Sequence, residues 1–159
     1  MVGLQSVEPE DRDDLVAFLR EVDLTLSGLD SPTVSVWVAR DVAGSIFAST
    51  GFEANADGTQ VLIRSVAVRP GLRQAGLGSG LARFALEAAV SAGAQRAWLF
   101  SRRSGPFWAQ LGFVPADRAE LARVLADTHQ VRLFTQTGQL EHEVAWTRPL
   151  VSATRHPSS

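Results

Sequence analysis

The alternation of apolar and polar residues divides the chain into predicted strands and helices. Residues 34–39 and 45–52 read as two strands of a β-hairpin, because the turn sequence Asp41-Val42-Ala43-Gly44 separates them. Residues 61–68 are mostly apolar and β-branched, which is typical of a strand covered on both faces. Apolar residues then recur at helical spacing from 77 to 90, Gly93 ends this helix, and residues 97–100 form another buried strand. The pattern therefore predicts a right-handed strand–helix–strand crossover with two parallel strands.

Weaker patterns surround this unit. Residues 2–7 predict an edge strand, 15–22 a helix, and 24–32 a loop or a short second helix. A short helix begins at Ser104-Gly105-Pro106, an amphipathic helix covers 117–126, a short apolar run covers 131–134, and a last strand covers 141–147. The order predicts one α/β domain over residues 1–150, with a mixed, mostly antiparallel sheet, and a loose tail over 151–159.

The composition of the chain restricts the classes of function and partner that we expect. The 159 residues are 45% hydrophobic and 20% charged, as in a single globular domain. The net charge of -2 gives no broad basic field, so nucleic acid is not an expected partner. The sequence has no cysteine, hence no disulfide and no thiol nucleophile, and its three scattered histidines predict no metal site. We found no signal peptide or bilayer-length apolar stretch, which predicts a cytoplasmic protein without a membrane partner.

The turn between the strand at 61–68 and the long helix is rich in glycine. Unpaired N–H groups at such a turn and at the helix start bind anions, above all phosphate. Gly76 and Gly78 would let a diphosphate approach the main chain, and Arg73 could add charge at the rim, although a plain connecting turn is the alternative. The chain has no lysine, which excludes the P-loop and the kinase lysine. The dinucleotide fingerprint also fails, because it lacks a third glycine and an acidic residue about twenty positions later.

Two motifs resemble the GNAT family of N-acetyltransferases. Val66-Ala67-Val68 followed by Arg73-x-x-Gly76-x-Gly78 resembles its acyl-CoA signature, and Phe107-Trp108-x-x-Leu111-Gly112-Phe113 resembles its later F-[FY]-x-x-L-G-F element. The resemblance implies a sheet whose two parallel strands splay apart, with the pantetheine arm of acetyl-CoA between them. It implies acetyl-CoA contacts by Val66, Ala67, Val68, Arg73, Gln74, Ala75, Gly76, Leu77, Gly78, Ser79 and Phe107. The nearest branch resembles the N-acetyltransferases of arsenic-resistance operons, which are similar to the acetyl domains of N-acetylglutamate synthase.

This family transfers an acetyl group from acetyl-CoA to an amine, so the resemblance implies a small, amino-acid-like acceptor and direct attack. Many relatives use a tyrosine of the short helix as the acid, but this chain has no tyrosine and carries Trp108 at or beside that place. Relatives often place an acidic base early in the central strand, where this chain has Leu62. A non-catalytic acyl-CoA-binding or regulatory module is therefore the alternative function, and a homodimer stays open.

The remaining candidates for chemistry are charged. Glu53 is our predicted base, acting through water, with a solvated loop-edge carboxylate as the alternative. Strand alternation places Arg64 on one face with Leu62, Val66 and Val68, and relatives turn that face toward the acceptor. Arg64 could then bind an acceptor carboxylate, or form a structural ion pair with Glu53 across the sheet.

Further charged or titratable side chains lie near the predicted end of the sheet. Arg102 and Arg103, just after the strand at 97–100, are the second candidates for acceptor binding, with a solvated loop charge as the favoured alternative. His142 in the predicted last strand could reach the cleft, although a surface or core histidine is the commoner case.

Overall fold

Strands in the part of the chain described by the computed structural model, residues 3–71 and 76–150, form one seven-stranded sheet. The order across the sheet is β1-β2-β3-β4-β5-β7-β6. The strands are β1 (Gln5–Ser6), β2 (Val34–Arg40), β3 (Ile46–Ala54), β4 (Gln60–Val68), β5 (Arg96–Phe100), β6 (Val114–Ala116) and β7 (Ala145–Pro149). Adjacent strands are antiparallel except β4 and β5, which are parallel.

Helices cover both faces of this sheet. They are α1 (Arg12–Glu21), α2 (Leu77–Ser91), α3 (Gly105–Gln110), α4 (Arg118–Val124) and α5 (His129–Thr137). On one face, Leu62 packs with residues of α4 and α5, and Val36 packs with α1. Val36 of β2 and Arg64 of β4 both pair with Gly51 of β3, so their side chains lie on the same face of the sheet. Leu62 shares this face, because it lies two positions before Arg64 on the same strand. We call it the α1/α5 face; α2 and α3 pack on the opposite face, the α2 face.

The parallel pair is short. Residues of β4 and β5 pair only from Gln60 with Arg96 to Leu62 with Trp98, after which the two strands part. The predicted fold, a mixed and mostly antiparallel sheet with one splayed parallel pair and flanking helices, is confirmed. No helix in the described part of the chain is long and apolar enough to span a bilayer.

Several element boundaries differ from those predicted. Residues 24–32 contain turns and no helix, so the loop alternative holds. The last strand begins at Ala145, because residues Gln139–His142 form a 3₁₀ turn; the prediction that His142 lies in a strand was wrong. The short apolar run at 131–134 lies within α5, whose first turn is capped by the Thr128 side chain. The predicted tail, residues 151–159, lies outside the described residues.

Candidate active site

Strand β4 contains a β-bulge at Ser65. Ser49 of β3 pairs with Ala67, whereas Gly51, two residues later, pairs with Arg64, so β4 has one extra residue between these pairs. Ser65 has φ of 61°, which a non-glycine residue rarely adopts. The Ser49 hydroxyl donates a hydrogen bond of 2.5 Å to the Ser65 carbonyl, while the Ser65 hydroxyl is buried without a hydrogen-bond partner.

The bulge reverses the alternation of side chains along β4. Before it, Leu62 lies on the α1/α5 face; after it, Val66 and Val68 pack with Leu81 of α2, and Ala67 packs toward α1. The prediction that Arg64 shares a face with Val66 and Val68 was therefore wrong, because regular alternation does not hold across an inserted residue.

The predicted acyl-CoA residues gather where β4 and β5 separate. Val66, Ala67 and Val68 lie beyond the last residue pair of these strands, and Val68 pairs with Ala48 of β3. Helix α2 begins nearby with Gly76 as its N-cap, in the left-handed conformation with φ of 90°. Arg73, Gln74 and Ala75 lie outside the described residues.

The first turn of α2 faces the short helix α3. A Cβ atom built on Gly78 would lie 3.5 Å from Cε1 of Phe107, which is ordinary van der Waals contact. Phe107 also contacts Trp108 edge-on, with ring centroids 4.9 Å apart. Leu77, Gly78 and Ser79 occupy the first three helical positions, whose N–H groups have no partner within the helix. The structure thus brings Gly76, Leu77, Gly78, Ser79 and Phe107 together.

Arg64 is a buried cation on the α1/α5 face. Its side chain is 0% exposed, and its Nη1 lies 3.4 Å from Oε1 of Glu53. Nη2 donates a 3.4 Å hydrogen bond to the Thr25 carbonyl, and Nε is buried with no hydrogen-bond partner. Burial lowers the pKa of the Arg64 guanidinium, and the Glu53 carboxylate offsets part of this effect. Arg64 is therefore only partly compensated by its neighbours.

Glu53 is fully buried as well, at 0% exposure. Its Oε2 accepts a 2.5 Å hydrogen bond from the His129 N–H, and its Oε1 accepts a 3.5 Å bond from the Gln130 N–H. These donors belong to the first turn of α5, where a negative charge is favourable. The alternative of a solvated loop-edge carboxylate was wrong, and the alternative of an ion pair with Arg64 is present. Bulk water does not reach this carboxylate. Its role as a base that acts through water stays a prediction.

The other candidates lie apart from this pair. Nε of Arg102 lies 3.5 Å from Oε2 of Glu143, and the Arg102 side chain is 48% exposed. Trp108 is buried in the core of the α2 face, among residues of β4, β5 and α2. Within the described residues, no group of three or more metal-binding side chains could hold an ion.

Sequence reasoning missed Ser65, Thr25 and the first turn of α5. Nothing in the sequence marks Ser65 as the bulged residue. Thr25 contributes through its carbonyl, and His129 through its N–H, and these backbone groups belong to every residue.

Solved structures share this fold. N-acetylglutamate synthase from Neisseria gonorrhoeae, complexed with coenzyme A and N-acetyl-glutamate, superposes with a TM-score of 0.66 and 17% identity, over 95% of this chain and 36% of that chain. A GNAT-family acetyltransferase from Staphylococcus aureus Mu50 gives 0.68 and 13%, over 95% and 100%. An aminoglycoside 6'-N-acetyltransferase complexed with coenzyme A gives 0.65 and 11%, over 97% and 100%. Identities this low show a common fold alone, and our chain spans about a third of the synthase.

The sequence itself identifies the family. The family model described as "Acetyltransferase (GNAT) family" matches residues 5–113, which is more than half of the chain. The chain belongs to the GNAT acetyltransferase family. None of the curated proteins matches it.

Proposed function

We propose that this protein transfers an acetyl group from acetyl-CoA to the amine of a small, amino-acid-like acceptor by direct attack. The observation that carries the proposal is the separation of β4 from β5 after Leu62 and Trp98, beside the first turn of α2. An extended pantetheine arm can lie along the separated strand edges, as an added strand would. The diphosphate then meets the unpaired N–H groups of the helix start.

The acceptor proposal is supported by Arg64. A guanidinium that is fully buried, with one nitrogen unpartnered and two hydrogen bonds of 3.4 Å, can still bind a carboxylate at short range. An acceptor carboxylate would supply the charge that Glu53 supplies only at 3.4 Å. The neighbouring synthase was crystallised with N-acetyl-glutamate, which supports an amino-acid-like acceptor. Arg102, already paired with Glu143, stays a secondary candidate.

The transfer requires few protein groups. The neutral amine attacks the thioester carbon, the new C–N bond forms, the C–S bond breaks, and the proton of the amine passes to water. The α-amino group of a free amino acid is mostly protonated at physiological pH, so the minor neutral form is the one that attacks. A thiol has a pKa of about 8.5, so CoA can leave as the thiolate without an acid such as tyrosine. The absence of cysteine from the sequence supports direct attack over an acylated thiol.

Turnover tests the proposal. Release of the CoA thiol from acetyl-CoA can be followed with a thiol reagent, and the cysteine-free chain adds no background. The acceptors should be amino acids, each compared with the amine that lacks its carboxylate. We expect turnover with at least one amino acid and a much lower kcat/KM for its partner amine. If acetyl-CoA binds and no amine is acetylated, the non-catalytic alternative replaces this proposal; if both members of each pair react equally, the carboxylate is not recognised.

A further inference from the structure

Residues 24–32, which join α1 to β2 and which we call the 24–32 segment, cover Arg64 on the α1/α5 face. The Thr25 carbonyl accepts the 3.4 Å bond from Arg64 Nη2, and the Arg64 side chain has no exposed surface. Leu26 and Leu29 pack against the apolar cluster that α1 forms with β2. Arg64 and the 24–32 segment are therefore held against each other.

A second contact holds the same segment. Gly28 has φ of 72°, and a Cβ atom built on it would lie 2.5 Å from Cγ and Cδ2 of the His129 ring. This ring therefore packs directly against the Gly28 backbone. The 24–32 segment thus touches both β4, through Thr25, and the start of α5, through Gly28.

The residues that make these two contacts, Arg64 and His129, are both bound by the Glu53 carboxylate. Oε1 of Glu53 lies 3.4 Å from Nη1 of Arg64, the residue that reaches Thr25. Oε2 of Glu53 accepts the 2.5 Å bond from the N–H of His129, the residue that packs on Gly28. The contacts form a closed circuit. Glu53 contacts Arg64, Arg64 contacts the 24–32 segment, this segment contacts His129, and His129 contacts Glu53.

The charges in this circuit of contacts make Glu53 the residue that fixes the geometry of the circuit. A buried carboxylate between a helix start and a guanidinium holds both at a fixed distance, because either one left without it would be buried and poorly compensated. Neither the contact with Arg64 nor the hydrogen bond from the His129 N–H requires the carboxylate to exchange protons.

We propose that Glu53 is a positioning residue that holds Arg64 and the 24–32 segment in place for acceptor binding. This inference rests on the proposed function, since it assumes that the acceptor binds at Arg64. It replaces the predicted role of base with one that acts through Arg64 and His129.

The kinetic test is Glu53→Gln, a variant of nearly equal shape that keeps one oxygen for the His129 N–H and loses the charge. Using acetyl-CoA and an amino acid that is active in the turnover panel, we expect the acceptor KM to rise about tenfold. The kcat should stay within about threefold, and the KM for acetyl-CoA and the shape of the pH profile should not change. A fall in kcat of about a hundredfold with loss of one limb of the pH profile would instead make Glu53 the base.

A structural readout needs no acceptor. Hydrogen exchange at residues 24–31 should be about tenfold faster in Glu53→Gln than in the wild type, because Arg64 loses the charge that holds it and its contact with the Thr25 carbonyl weakens. Gly28→Ala should have the same effect without touching Glu53, since its Cβ would clash with His129. The matched control is Gly58→Ala: Gly58 has φ of 77°, so the backbone strain is similar, but nothing lies within 4 Å of its Cβ position.

These outcomes separate the inference from the proposed function. Unchanged exchange at 24–31 in both Glu53→Gln and Gly28→Ala overturns the positioning role, whether or not the protein is active. A lower melting temperature with unchanged acceptor KM also overturns it and leaves Glu53 a purely structural residue. If Glu53→Gln does not fold, Glu53→Asp takes its place, because the shorter side chain keeps the charge but cannot reach both Arg64 and the His129 N–H; unchanged exchange at 24–31 in that variant overturns the positioning role. Lack of any shift in melting temperature with acetyl-CoA would refute the proposed function while leaving the exchange result valid.

Discussion

Replacing Gly78 by glutamate should abolish the stabilisation of this protein by acetyl-CoA. Gly78 is the second residue of α2, and its Cα faces the Phe107 ring at the helix start where we propose that the diphosphate binds. A glutamate there would fill the approach to the main chain and oppose the charge of the ligand. The wild type at a ligand concentration of a hundred times Kd should gain about 2.7 kcal/mol. For a chain of this size, that gain raises the melting temperature by about 5 to 10 °C.

The variant should remain folded, so its loss of binding can be interpreted. The Cβ position at Gly78 is 3.5 Å from Phe107 Cε1 and 3.7 Å from Cζ, so a side chain begins without a clash. A negative charge in the first turn of a helix is favourable by about 0.3 to 1 kcal/mol. Gly78→Ala should therefore fold normally and show a reduced shift, because the methyl group takes space without adding charge.

Ser91→Glu is the matched control for charge. Ser91 is the last residue of α2 and is exposed, so the same carboxylate stands at the opposite end of the same helix. The assay is thermal unfolding with acetyl-CoA and with free CoA, and part of the shift should fade as added salt screens the diphosphate. Folded Gly78→Glu that shifts like the wild type would refute the diphosphate site. A wild type that shifts with neither ligand would refute acyl-CoA binding at this cleft.

Three further changes have defined outcomes. Arg64→Met should lower the free energy of unfolding by about 3 kcal/mol in urea melts, because Glu53 would stay buried without its cation; wild-type stability would mean that the pair contributes nothing. Ser65→Gly should exceed Ser65→Ala in stability by about 1 kcal/mol, since only glycine adopts φ of 61° without strain, and equal stability would refute this. A hydrogen bond from the Glu8 N–H and another from Arg40 lower the pKa of Asp11, so its contribution to stability is present above the unfolded value of about 3.9 and is lost as pH falls through the lower folded pKa. Asp11→Asn should then differ from the wild type at pH 6 and converge with it in strong acid, and a constant difference would contradict the shift.

The predicted fold rested on periodicity and on two local motifs. The structure contains the strands predicted at 34–39, 45–52 and 97–100 and the helix predicted after Gly76. These predictions succeeded because each pattern reflects which residues of a single element are buried. Boundaries were less accurate where a short turn replaced a strand, as at His142, or where a strand of three residues, β6, carries too few positions for a pattern.

The candidate site shows where local pattern stops being sufficient. The choice of Arg64 and Glu53 came from their types and their places on neighbouring strands, and the structure joins them in an ion pair. What each side chain faces depended on the bulge at Ser65, which arises from the pairing of β4 with β3 and leaves no mark in the residues of β4.

By itself the sequence determined the order of the elements, the glycine turn before α2 and the lack of cysteine and tyrosine, because these are properties of residue type and spacing. Only the tertiary structure decided that Glu53 is buried against the start of α5, 76 positions away along the chain, and that the Thr25 carbonyl closes over Arg64. The reason is physical: backbone N–H and carbonyl groups are identical in nearly every residue, so their partners are selected by packing of distant segments and not by local sequence.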